Sequence, residues 1–184
     1  MDKNKALLII DYTNDFVADD GALTCGEPGQ KIENKIISLA DEFYQNGNFV
    51  YLPTDTHIKD DKFHPEKKLF PTHNVKGTKG HELYGKLKTW YDSNSNSELV
   101  NQFDKTRYSS FAGTDLDLRL REREVTDLYL TGVCTDICVL HTAIDAYNLG
   151  YSINVYKEAV ASFSQTGHVF ALEHFKNVLG ADIL

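Results

Sequence analysis

The chain has 184 residues, 41% apolar and 25% charged, which suits one hydrophobic-core domain over 1–184 and excludes a disordered chain. Nineteen Lys and Arg against 27 Asp and Glu leave a formal charge of −8, so nothing draws the chain toward nucleic acid or an anionic membrane surface. Three cysteines argue against a secreted disulfide framework, and the apolar run Ala6 to Ile10 is too short for a signal-peptide core or a membrane span; the reducing cytoplasm is the expected compartment.

Lys5 to Asp11 (KALLIID) is a continuous apolar run ending in a carboxylate, which predicts a strand buried on both faces of a parallel sheet. Pro28 to Asn46 follows with Ile32, Ile36, Leu39 and Phe43 at helical spacing and Gly47 placed to end it. Phe49 to Pro53 is a second strand, stopping before Asp55. The segment Asp55 to Gly80 carries His57, His64 and His73 and has no clear period. Glu82 to Trp90 predicts a short helix, Tyr91 to Glu98 a surface loop rich in Ser and Asn, and Val100 to Phe103 a third strand ending at Asp104 and Lys105. Asp115 to Arg123 is a charged, exposed helix and Asp127 to Thr131 a fourth strand. The turn Gly132 to Thr135 leads into a helix reaching about Leu149, closed by Gly150. Ile153 to Tyr156 is a fifth strand, Ser164 to Leu179 a helix capped by Gly180, and Ala181 to Leu184 a last short strand. Alternation of strand and helix predicts an α/β fold, a three-layer, doubly wound, six-stranded parallel sheet with helices on both faces.

In such sheets the ligand crevice lies at the carboxyl ends of the strands. The groups expected there are Asp11, Asp55, Lys105 and the Gly132–Cys138 turn. With Thr135 or Asp136 as N-cap, Cys138 falls in the first turn of a helix, where free backbone N–H groups and the positive dipole end favour a thiolate or an oxyanion. A small apolar residue packed on the sheet is the plainer role for the same cysteine. Cys134 and Cys138 lack the spacing of a C-x-x-C redox pair, and Cys25 has no partner suggested by spacing. A thiol nucleophile needs a base and a cation, and Asp11 and Lys105 end the strands where such partners must lie. Asp55 and His57, at i and i+2, point the same way in an extended segment and could grip one ion, with His64, Glu66 and His73 following in the same segment. That mix of ligands suits zinc, manganese or iron. A polar surface loop with clustered histidines is the alternative.

Together, Asp11, Asp55-x-His57, Lys105 and the Gly132-Val-Cys-Thr-Asp-Ile-Cys138 stretch resemble the isochorismatase-like cysteine hydrolases, and within them the nicotinamidases (pyrazinamidases). The opening Asp11-Tyr-Thr-Asn-Asp-Phe16 is similar to the family's D-x-Q-N-D-F start, with Thr13 in place of the usual glutamine. The resemblance runs from Leu7 to Leu184. It implies a triad of Asp11, Lys105 and Cys138. It implies one divalent metal ion, zinc first and manganese or iron otherwise, held by Asp55, His57 and His73 with Glu66 as the further ligand and His64 as the alternative. It implies a cis peptide at Val133–Cys134 that aims the N–H of Cys134, with that of Cys138, at one oxyanion, and a pyridine ring flanked by Phe16, Phe70 and Tyr108. Trp90 receives no role, because the segment around it varies in length among relatives.

The activity implied is hydrolysis of nicotinamide to nicotinate and ammonia through a cysteine thioester, with the metal anchoring the ring nitrogen, pyrazinamide as a second substrate, and nicotinamide recycling into NAD as the setting. A homo-oligomer, dimer or tetramer, is expected, with no nucleic-acid or membrane partner. The competing enzyme is a cysteine amidase of the same superfamily acting on a carbamoyl or ureido amide, which shares the triad but not the metal loop. A true isochorismatase is disfavoured by the cysteine itself. A thiol-based redox or metal-binding module, or a non-catalytic scaffold, would leave the convergence of Asp11, Lys105 and Cys138 unexplained.

Overall fold

The first strand, β1 (Asn4–Ile10), turns Leu7 and Ile9 to one face and Ala6, Leu8 and Ile10 to the other, and all five are buried. Two-sided burial is the reason the run is apolar throughout instead of alternating. The computed structural model describes residues 4–184. Its further strands are β2 (Phe49–Asp55), β3 (Val100–Lys105), β4 (Val125–Val133), β5 (Ser152–Ala161) and β6 (Asp182–Ile183). Among the described residues they form one six-stranded, all-parallel sheet in the order β3-β2-β1-β4-β5-β6.

Helices cover both faces, as expected. On one face α1 (Asn14–Val17), α3 (Glu33–Gln45) and α4 (Gly85–Asn94) bring Phe16, Val17, Ile36, Leu39, Phe43, Leu87 and Trp90 onto Leu7, Ile9, Val50 and Leu52. On the other, α5 (Leu116–Glu122), α6 (Leu140–Asn148) and α7 (Gln165–Asn177) bring Leu116, Leu120, Ala143, Ala146, Ala171 and Phe175 onto Leu8, Ile10, Leu128 and Leu130. No helix among the described residues is long and apolar enough to cross a membrane.

Element boundaries depart from the sequence reading in several places. The helix expected over Pro28 to Asn46 is two, α2 (Glu27–Lys31) and α3, because the Ile32 N–H bonds Gln30 and interrupts the ladder between them. The apolar spacing continues across the break and hides it. The helix expected over Glu82 to Trp90 is α4, shifted to Gly85–Asn94, so the first half of the Tyr91 to Glu98 loop is helical. Glu82 to Tyr84 stay extended because the Asn14 N–H donates to Glu82 and the Tyr84 N–H to Tyr12. Trp90, left without a role, donates Nε1–H to Asp41 Oδ1 at 2.6 Å and packs edge-on against Tyr44, fixing α4 on α3.

Strands β3, β4 and β5 all run longer than their apolar cores. Asp104 and Lys105 continue β3 by pairing with Thr54 and Asp55, so hydrogen bonding carries the strand past the last apolar residue. After β4 the chain enters a π turn (Thr135–Val139) before α6, and the capping position is Cys134, not Thr135 or Asp136. The charged helix α5 is exposed on one side only; Leu116 and Leu120 are fully buried.

Candidate active site

The strand order reverses about β1, which has β2 on one side and β4 on the other. The crevice of such a sheet opens at the carboxyl ends of these strands. Asp11 follows β1 directly, in the left-handed region at φ 55°, and its Oδ1 accepts the Asp55 N–H at 2.7 Å. Gly132 near the end of β4 has φ 103°, and a Cβ there would overlap the backbone of Ile10. Glycine therefore lets β4 close onto β1 just where the two strands deliver their functional loops.

Lys105, the last residue of β3, reaches across β2 into this crevice. Its ammonium lies 2.8 Å from Asp11 Oδ2, 3.8 Å from Asp55 Oδ1, 3.0 Å from the Arg107 carbonyl and 3.6 Å from Cys138 Sγ. Asp11 and Lys105 are each 1% exposed and Cys138 6%. The three residues that the sequence placed at separate strand ends thus touch. The Val133–Cys134 peptide is cis.

Burial decides the protonation states. It pushes the Asp11 carboxyl up to about 6, against the pull of the Lys105 ammonium. Burial lowers the affinity of Lys105 for its proton, but Asp11, Cys138 and Asp55 together outweigh that and hold it firmly charged. The Cys138 thiol is pushed well above its usual value by burial and by the Asp11 carboxylate, although Lys105 opposes both. Cys138 therefore rests as a thiol, with Asp11 the buried carboxyl group beside it. Burial would raise Asp55 too, yet Lys105 and the imidazoles of His57 and His73 hold it well below the usual carboxylate range.

Asp55 also belongs to a second cluster. One ligand atom from each of Asp55, His57, Glu66 and His73 lies within 4.8 Å of every other. His57 Nε2 is 3.0 Å from Asp55 Oδ2, and His73 Nε2 is 3.4 Å from Asp55 Oδ2 and 3.6 Å from Glu66 Oε2. His73 Nδ1 donates to the Pro71 carbonyl at 2.7 Å, which leaves Nε2 facing two carboxylates, buried and without a hydrogen-bond partner. An imidazole nitrogen set that way suits a cation, and the outer bond to a carbonyl is the usual orienting contact of a histidine ligand. His64 stands outside this set. Its Nε2 donates to the Thr106 carbonyl at 2.9 Å and its Nδ1 accepts the Glu66 N–H at 3.4 Å, so both nitrogens are occupied.

The two clusters share one cavity, with Asp55 and Glu66 from one, Cys138 from the other, Cys134 at the turn before it, and Phe16, Phe70 and Tyr108 as aromatic walls. Leu23, Ile137 and Phe163 complete it and were not singled out from the sequence, where an isolated apolar residue carries no signal. Thr13, the departure from the opening motif, donates to Asn74 Oδ1 at 2.9 Å, while Asp15 Oδ2 accepts the Asn74 N–H at 2.7 Å. Those bonds fix the residue after His73. Cys25, taken as partnerless, has its sulfur 3.4 Å from that of Cys134, a contact across 109 residues of chain that spacing cannot reveal.

The chain belongs to the isochorismatase family: residues 5–183 match its Isochorismatase domain. It is 59% identical to an isochorismatase family protein of Bacillus subtilis, PncA, over 97% of this chain and 98% of that one. A crystal structure of nicotinamidase/pyrazinamidase PncA from Bacillus subtilis superposes with a TM-score of 0.96 at 57% identity, covering 98% of each chain. The pyrazinamidase/nicotinamidase of Streptococcus mutans matches with the same TM-score, 0.96, and the same identity, 57%, over 98% of this chain and 100% of that one. A pyrazinamidase of Pyrococcus horikoshii, crystallised in complex with zinc, matches at 29% identity and a TM-score of 0.86 over 98% of each chain. Within the family the chain groups with these nicotinamidase/pyrazinamidase amidohydrolases.

Proposed function

We propose that the protein, one isochorismatase-like hydrolase domain over residues 1–184, hydrolyses nicotinamide to nicotinate and ammonia, and pyrazinamide by the same chemistry. The observation that carries this reading is the Lys105 ammonium held 2.8 Å from Asp11 and 3.6 Å from Cys138, where Cys138 lines a cavity together with Asp55 and Glu66 of the second cluster.

Asp11 takes the Cys138 proton as the sulfur attacks the amide carbon. Lys105 stabilises the charge on both partners. The carbonyl oxygen gathers negative charge and is received by the backbone N–H groups of Cys134 and Cys138. The carbon–nitrogen bond breaks as Asp11 passes its proton to nitrogen. Ammonia leaves, and a thioester on Cys138 remains. Water then gives a proton to Asp11 and attacks the thioester carbon. The carbon–sulfur bond breaks, nicotinate is released, and Asp11 returns its proton to the sulfur.

Phe16, Phe70 and Tyr108 enclose the flat ring. Asp55, His57, Glu66 and His73 would hold a divalent cation; paired imidazoles with carboxylates suit zinc, and manganese or iron are compatible. When bound, the ion supplies a Lewis-acid anchor for the ring nitrogen. The unpartnered Nε2 of His73 and the zinc complex of the Pyrococcus horikoshii pyrazinamidase support that assignment. The reading extends to nicotinamide recycling into NAD, in the cytoplasm, by a homo-oligomer.

The test is ammonia release from nicotinamide by protein purified with its metal retained, beside a Cys138→Ala control. Release by the wild type alone, with nicotinate still bound by the variant, is expected. Release from a carbamoyl or ureido substrate and none from nicotinamide would overturn the proposal.

A further inference from the structure

The turn that carries Cys138 is wound as a π turn, with the Val139 N–H bonded to the Cys134 carbonyl at 3.2 Å. A π turn is looser than the α form that the same residues could adopt, and it persists where surrounding contacts hold it. Here the contacts come from α7 and the loop before it. Thr135, fully buried, meets His168 Nδ1 through its Oγ1 at 2.8 Å. Asp136 Oδ1 accepts the Ser162 hydroxyl at 2.6 Å. Gly167 presses so closely on the Asp136 carboxylate that a Cβ would overlap it. Ser164 caps the Gly167 N–H at 3.0 Å, so the first turn of α7 that presents His168 is itself anchored. Burial lowers the basicity of His168, which therefore meets Thr135 as a neutral ring. None of these side chains takes part in the chemistry proposed above.

We infer that His168 is a positioning residue: through Nδ1 and the Thr135 hydroxyl it holds the π turn in the winding that sets the Cys138 thiol against Asp11 and Lys105. The inference rests on the assignment of Cys138 as the nucleophile and adds a residue that lies 33 positions from Thr135 in the chain. Relaxation toward α winding would rotate both the sulfur and the N–H of Cys138. Misplacement of a reacting group on the ångström scale lowers rate without weakening ground-state binding.

The experiment compares wild type with His168→Ala, His168→Asn, His168→Gln and Thr135→Val, each with bound metal and circular dichroism checked. His168→Ala should lower kcat for nicotinamide by about 10- to 100-fold with KM within about 2-fold. His168→Asn, whose amide falls where Nδ1 was, should restore most of the loss. His168→Gln, which reaches the Nε2 position, should not. Thr135→Val should match His168→Ala, and it decides the matter if the alanine variant does not fold. A second readout needs no substrate: the rate of Cys138 alkylation by iodoacetamide, followed by peptide mass spectrometry, should fall in step with kcat. Unchanged kcat and alkylation in His168→Ala, a rise in KM alone, or equal rescue by glutamine and asparagine would overturn the inference. A wild type that releases no ammonia would sink the nicotinamidase reading instead, and the alkylation rates would still decide the role of His168.

Discussion

At the scale of single residues the site is governed by three buried charges and one thiol. Asp11 and Asp55 sit within reach of the same ammonium, yet burial raises one and the Lys105 charge with two imidazoles lowers the other. In the proposed mechanism the two carboxylates therefore take different work, one moving protons and the other staying ionised. The pH dependence follows with a definite sign. As the proposed base, Asp11 would act only when ionised, and burial pushes its carboxyl up to about 6. The ratio kcat/KM should be level above pH ~7 and fall about tenfold per unit below pH ~6. A pH–rate profile of the metal-loaded enzyme checks this; an acid limb near 4, the ordinary carboxylate value, would show that Asp11 is not the titrating base. Glu66, which the resemblance put ahead of His64, is the one that joins the cluster, and the engagement of both His64 nitrogens by Thr106 and the Glu66 N–H accounts for His64 standing outside it.

At the scale of elements, the strands were legible because burial on both faces leaves a continuous apolar signature. Their ends were less so. β3 runs on through Asp104 and Lys105, and functional strand ends are polar by necessity, so hydropathy stops short of hydrogen bonding. The π turn left no trace in the sequence, since its winding is imposed by α7 from outside. β4 offers a test of how tightly the elements close. Gly132→Ala would put a Cβ into the Ile10 backbone at a φ of 103°, and the expected loss is about 3 kcal/mol, from strain and overlap together. For a chain of this size that lowers the melting temperature by roughly 6–12 °C, measurable by calorimetry. A shift under about 1 °C would show that β4 can move away from β1 without disturbing the rest of the sheet.

At the scale of the whole molecule, the four residues of the second cluster come from the end of β2 and from the segment that follows it, so a bound cation would tie that segment to the sheet. Removing it should act on substrate affinity and stability together. Chelation, or His57→Ala, should raise KM for nicotinamide strongly and lower the melting temperature. A ligand at a thousandfold excess over its Kd stabilises by about 4 kcal/mol. Titrating zinc, manganese or iron(II) back into the stripped protein should restore both quantities along one curve. An unchanged KM in metal-free protein would exclude the anchoring role.

Much of this architecture is a property of local sequence. Alternating βα units, two-sided apolar strands and polar residues at strand ends follow from periodicity and composition, because each reflects a residue's own neighbours along the chain. The Asp55-x-His57 pair was visible for the same reason, being set by the period of an extended segment. What tertiary structure alone decided are the contacts between distant segments: the Lys105 side chain crossing β2 to Asp11, Glu66 taking the place His64 could have had, Cys25 meeting Cys134, and α7 bracing the Cys138 turn. These depend on the strand order and on how each element rotates on the sheet. Packing of the whole core fixes both, and no window of sequence contains that information.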